Sequence, residues 1–166
     1  MKKGKVMNTF EFTLRLLTAF CLGAGIGFER QWRKKNTGLR TNTLVCIGSA
    51  AFVLIAIRIG GDAAGRITSY IVSGIGFLGG GVIMKDGLTV RGLNTAATLW
   101  CSAAIGALCA LGYPKEALIT VFFIVSTNIF LRPTLSTQKE ARSKKLVINK
   151  KKNNPKPKIS NSTQFY

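Results

Sequence analysis

Asn94, Thr98, Cys101 and Ser102 recur at i, i+4, i+7 and i+8 in the stretch LNTAATLWCS. That spacing puts an amide, two hydroxyls and a thiol on one stripe of a helix. The chemistry open to it is hydrogen bonding, either across packed helices or to a partner. Catalysis by the Cys101 thiol is not expected, because the chain has no histidine and no base to activate it. Cys21, Cys46, Cys101 and Cys109 each fall in an apolar segment with no Cys-x-x-Cys pair, so they read as small buried residues and not as a zinc site. Glu29, Asp86 and Asn94 carry the oxygens a hydrated divalent cation prefers. The plainer use of the two acids is pairing with Arg30, Lys85 or Arg91 at a membrane interface. Arg15 stands about one turn inside an apolar segment, where two readings hold: it snorkels outward, or it pairs with Asp62. Gly79-Gly80-Gly81 precedes Val82-Ile83-Met84, without the lysine and hydroxyl of a phosphate loop. The sequence thus calls for no metal, no cofactor and no enzymatic reaction.

A polar stripe in an apolar helix must face protein or water, and five apolar segments are available to shelter it. They run over Phe12–Phe28, Thr41–Ile57, Ile67–Met84, Thr95–Leu111 and Ala117–Leu131, long enough or nearly so to cross ~30 Å of hydrocarbon. The expected fold class is all-α integral membrane, a bundle of about five transmembrane helices, since a helix satisfies its own backbone in lipid. Residues 1–11 form a short N-terminal segment, 12–131 the transmembrane domain, and 132–166 a basic tail. The chain is 47% hydrophobic yet carries a net charge of +18, which suits apolar spans with basic connections. The third segment is rich in glycine, and Gly76 and Gly80 lie four apart on one face. Gly23-x-x-x-Gly27 in the first segment offers a matching face, so close packing of the first and third helices is predicted. Such faces also permit a homo-oligomer.

The first connection, ERQWRKKNTGLR, holds five basic residues: Arg30, Arg33, Lys34, Lys35 and Arg40. With the N-terminus outside, 17 basic residues collect on the cytoplasmic side against six on the other, the preferred sense. The basic, then apolar, then small start of the chain resembles a signal peptide, but four further apolar segments favour a retained span. GIGF at Gly25–Phe28 and Gly74–Phe77, with Gly38-Leu39 echoed by Gly92-Leu93, hints at a parallel repeat of two helix pairs. The tail after Pro133 is too polar for a core, so disorder or a short surface helix is expected there. Its lysines suit anionic headgroups of the lipid bilayer, and it has no nucleic-acid motif.

Three motifs occur in order. The first is Gly27-Phe28-Glu29-Arg30-Gln31-Trp32-Arg33 with Gly38-Leu39-Arg40-Thr41-Asn42. The second is Val72-Ser73-Gly74-Ile75-Gly76-Phe77-Leu78-Gly79 with Gly81-Val82-Ile83-Met84. The third is Val90 through Ser102, VRGLNTAATLWCS. Over Glu11 to Arg132 the chain resembles the MgtC/SapB family of bacterial inner-membrane proteins. That resemblance implies a multi-pass inner-membrane protein supporting growth when magnesium is scarce and, in pathogens, survival inside macrophages. It implies action through membrane partners, notably the proton-translocating ATP synthase, with a magnesium transporter or channel subunit as the alternative. The family's functional asparagine and cysteine fall on Asn94 and Cys101. Family members typically carry a cytoplasmic module after the fifth helix, for which the residues after Arg132 are too few.

Overall fold

The computed structural model describes residues 7–33, 38–86 and 89–130; of Asp86 and Thr89 the backbone alone is described. The expected tail, 132–166, lies outside the described residues. Five helices follow one another: α1 (Thr9–Trp32), α2 (Leu39–Ile59), α3 (Ala63–Gly81), α4 (Leu93–Leu111) and α5 (Pro114–Phe130). Of these α1, α2 and α4 are long and apolar enough to cross a membrane. α3, diluted by glycine and hydroxyl residues, and α5, described over 17 residues, are not among them. The chain divides into two compact units, Met1–Ser126 and Thr127–Tyr166; in the second, the described residues are the last turn of α5.

The helix ends follow from glycine and proline. α2 stops at Gly60, φ 83°, and α4 at Gly112, φ 89°, both in the region where a Cβ is disfavoured. At Gly112 the amides of Gly112 and Tyr113 return to the carbonyls of Cys109 and Leu108, a Schellman closure. Pro114 then opens α5, where its missing N–H is not needed.

Between α3 and α4 the chain forms two short paired strands. Strand β1 (Met84–Asp86) pairs antiparallel with β2 (Thr89–Arg91), with Met84 opposite Arg91 and Lys85 opposite Val90. The third segment therefore ends at Gly81 and not at Met84. α1 is also longer than its expected span. It continues through Arg30 to Trp32, which takes Arg30 out of the connection where charge counting had put it.

α2 and α4 run side by side in the same direction, and α1 and α3 each pack against both of them. Swapping α1 with α3 and α2 with α4 leaves this set of contacts unchanged, and Gly38 and Gly92 stand at the N-caps of α2 and α4. The packing is nevertheless unequal. α1 buries Ala19, Gly23, Ile26, Gly27 and Arg30, whereas α3 buries only Ala63, Ile75 and Gly79. A cleft of about 560 Å³ opens between α2 and α3, lined by Leu44, Gly48, Phe52, Tyr70, Gly74 and Leu78. The core is closed by Ile26, Val53, Leu54, Ile105 and Ala110, all without exposure. Large apolar side chains such as Phe20, Phe52, Phe77, Trp100 and Phe122 point outward. A water-soluble monomer rarely shows apolar surface on that scale, and a membrane-embedded one must.

Candidate functional site

α4 carries most of the residues singled out by the sequence, and the fold divides them. Thr98 and Ser102 turn inward, with Thr95 beside them, and are buried. Asn94 is exposed on the first turn and Cys101 is half-buried. At 100° per residue the stripe from Cys101 to Ser102 is about 100° wide. The buried face of α4 covers the Ser102 side of it, so Asn94 and Cys101 come to the rim.

The inward group forms the polar part of the core. The Ser102 hydroxyl shares its proton between Asn42 Oδ1 on α2 and the Thr98 carbonyl, each 3.0 Å away. Asn42 Nδ2 donates to the Gly38 carbonyl at 2.9 Å. Arg30 of α1, 1% exposed, donates from Nη2 to Thr95 Oγ1 at 2.9 Å. Thr95 to Ser102 spans seven residues, about 10 Å along α4. Beyond Ser102 one more buried hydroxyl follows, Ser49 of α2 beside Gly106, and the core is then apolar, with Ile105, Ala107 and Ala110 on α4 and Val53 and Leu54 on α2. Polar groups thus enter the interior from the end of α4 that holds Arg30 and stop partway.

Arg30, Asn42 and Thr95 were missed as site residues by sequence reasoning. The signal for Arg30 was present: Gly23, Ile26, Gly27 and Arg30 follow i, i+3, i+4 and i+7 on one face of α1. Its charge and its place after an apolar run marked it instead as a connection residue.

Arg15 pairs with Glu11 and donates to the carbonyl of Ala110; its guanidinium also stands 3.1 Å from where a Cβ on Gly112 would be. The expected partner Asp62 is therefore replaced by Glu11, one turn back on the same helix, and by the C-terminal end of α4, where the helix dipole favours a cation. Glu29 lies 2.8 Å from Arg33 Nε in an i, i+4 pair and not against Arg30, Lys85 or Arg91. The pair is a contact of charges and not an aligned hydrogen bond, since neither Glu29 oxygen has a hydrogen-bond partner among the described residues. The Asp86 side chain lies outside the described residues. Among the described residues no three histidine, cysteine, aspartate or glutamate side chains come together as a metal would need. Arg15 and Glu29 are about 21 Å apart along α1, so they do not form one site.

The glycine faces are corrected as well. A Cβ on Gly23 would stand 2.7 Å from Cys46 Cβ, and one on Gly27 would stand 2.5 Å from Leu39 Cα. Both glycines thus admit α2 and not α3. Gly76 and Gly80 meet no neighbouring element within 4 Å among the described residues; Gly79 is the glycine of α3 that approaches α4, at Ala96. Spacing identified close-packing faces, but the partner of α1 is its sequence neighbour, reached through the short Arg33–Gly38 connection.

The MgtC family profile matches residues 16–137, which takes in most of α1 and the whole of α2, α3, α4 and α5. The chain belongs to the MgtC family. Protein MgtC of Salmonella typhimurium LT2 is 58% identical over 126 residues, covering 76% of this chain and 54% of that protein. Protein MgtC of Brucella abortus 2308 is 56% identical over 119 residues, 71% of this chain and 50% of that protein. An uncharacterised Synechocystis protein is 58% identical over 132 residues, 79% of this chain and 56% of its own length. The chain spans about half the length of these curated MgtC-family relatives. No solved structure matches it.

Proposed function

We propose that this MgtC-family chain is a multi-pass inner-membrane adaptation factor with five membrane-crossing helices, its N-terminus outside. It supports growth when magnesium is scarce and, in a pathogen, survival inside host cells. It works without catalysis, by binding and regulating membrane partners such as the membrane sector of the proton-translocating ATP synthase, alone or as a homo-oligomer. Asn94 and Cys101 on the rim of α4 are the contact residues, and Gly23 and Gly27, against which α2 packs, build with Arg15 the scaffold that holds them.

The observation that carries this reading is the closed interior. The polar groups of the core run from Arg30 through Ser102 to Ser49 and end against Ile105, Val53 and Leu54. A dehydrated divalent cation needs carboxylate or carbonyl oxygens along its route. The carboxylates with described side chains sit at helix ends: Glu11, Glu29, Asp62 and Glu116. An interior built this way favours a surface that engages partners over a passage for ions.

The test is complementation of growth at low magnesium by Asn94→Ala and Cys101→Ala, with protein amounts measured in the same membranes. Loss of growth at parental protein amounts is expected. Loss that tracks protein amount would leave these residues as packing groups and overturn the partner-binding reading.

A further inference from the structure

The first turn of α4 has little of its own to hold it. Its N-cap is Gly92, in the left-handed region at φ 93°, which has no side chain with which to cap the turn. A glycine N-cap supplies no oxygen to the first free amides of a helix. Contacts from elsewhere in the chain reach this turn. Gly92 abuts the Val82 carbonyl so closely that any Cβ would overlap it. Arg30, from the buried face of α1, donates to Thr95 across 65 residues of sequence. Asn94 stands between these two contacts, and its own carbonyl is tied to Thr98 Oγ1 at 2.8 Å.

We propose that Arg30 is a positioning residue: through Thr95 it fixes the first turn of α4 and so the direction in which Asn94 is presented at the protein surface. The choice of residue fits the task. A guanidinium is planar and rigid, so one end can sit in the helix packing while the other sets a donor direction. An ammonium in its place is a rotating point charge. The position fits as well, because Arg30 lies in the last turn of α1, where the helix dipole offsets part of the cost of burying a cation. A charged residue inside a membrane domain is rare and, where it occurs, functional by default. Arg30 is buried in the helix packing, and its effect on the first turn of α4 passes through the Thr95 hydroxyl. The importance of Asn94 rests on the function proposed above; the positioning does not.

The experiment places a cysteine at Asn94 and measures its labelling rate by a polar maleimide, with purified full-length protein in lipid nanodiscs open on both faces. The parent chain is the blank. Thr95→Val, which keeps the shape and removes the hydroxyl, should change the rate about twofold or more in either direction, because position 94 then leaves its parental orientation. Arg30→Met should do the same, and the two together should do no more. Thr95→Ser should return the parental rate. An unchanged rate in Thr95→Val, or a Thr95→Ser rate equal to that of Thr95→Val, overturns the proposal. Growth at low magnesium is scored separately. If Asn94→Ala supports growth like the parent while labelling responds as expected, the positioning stands and the partner-binding reading fails.

Discussion

Gly106 of α4 lies so close to the carbonyl of Cys46 on α2 that a Cβ would overlap the oxygen and come within 3.0 Å of Ser49 Cβ. This contact sets the distance between the two parallel helices at the centre of the bundle. Gly106→Ala must push them apart, and overpacking of this kind costs about 1–3 kcal/mol. Gly76→Ala meets no neighbouring element and should be neutral or slightly stabilising, since alanine is the better helix former. Unfolding of both variants in mild detergent tests the pair; equal stability would show that α2 and α4 are not in close contact.

Arg15 closes the C-terminal end of α4 while paired to Glu11. Arg15→Leu should lower stability by about 1–2 kcal/mol, the range for a cation hydrogen-bonded at a helix end with partial solvent screening. Glu11→Gln should cost less, because the bond to Ala110 survives it. Thermal unfolding in detergent reads both, and a larger loss in Glu11→Gln would show that the ion pair, not the carbonyl contact, holds the end of α4.

Ser102 and Asn42 join α4 to α2 within the core. Ser102→Ala should destabilise by roughly 0.6–1.7 kcal/mol, the measured range for polar contacts between membrane helices. A double-mutant cycle with Asn42→Leu should show coupling between the two sites. Additive losses would mean that the hydroxyl serves only its own helix, through Thr98.

Purified protein in liposomes loaded with a magnesium-sensitive dye should show no uptake above empty liposomes, because the polar part of the core stops short of the far side. Saturable uptake lost in Glu29→Gln would promote the transporter reading over the regulator.

The helices were legible because their apolar runs are long and bounded by glycine, proline or charge. The β-strand pair was not: its three-residue strands, Met84–Asp86 and Thr89–Arg91, are too short for alternation to register. Gly23 and Gly27 carry close-packing spacing, yet spacing along one helix names no partner, and the element that meets them is α2 and not the expected α3. The α4 stripe was read as one surface, although its two edges face different media. Arg30 shows the sharpest failure. Its helical periodicity placed it with Gly23 and Gly27, and its charge argued for water; packing decided the matter because Thr95 was available to receive it. What remained illegible was the set of contacts that only a second element, distant in sequence, could supply.

The distance in sequence between Arg30 and Thr95 also bears on how the protein is made. Sixty-five residues separate them. At about 5–20 residues per second, roughly 3–13 s pass between synthesis of the cation and synthesis of its hydroxyl acceptor. Throughout that interval the Arg30 guanidinium is without the hydroxyl that receives it in the finished bundle, so the α1–α2 pair alone cannot bury it in the same way. Burial of Arg30 therefore belongs to a late step, the docking of α4 on α1 and α2, although the residue itself lies in the first helix to be made.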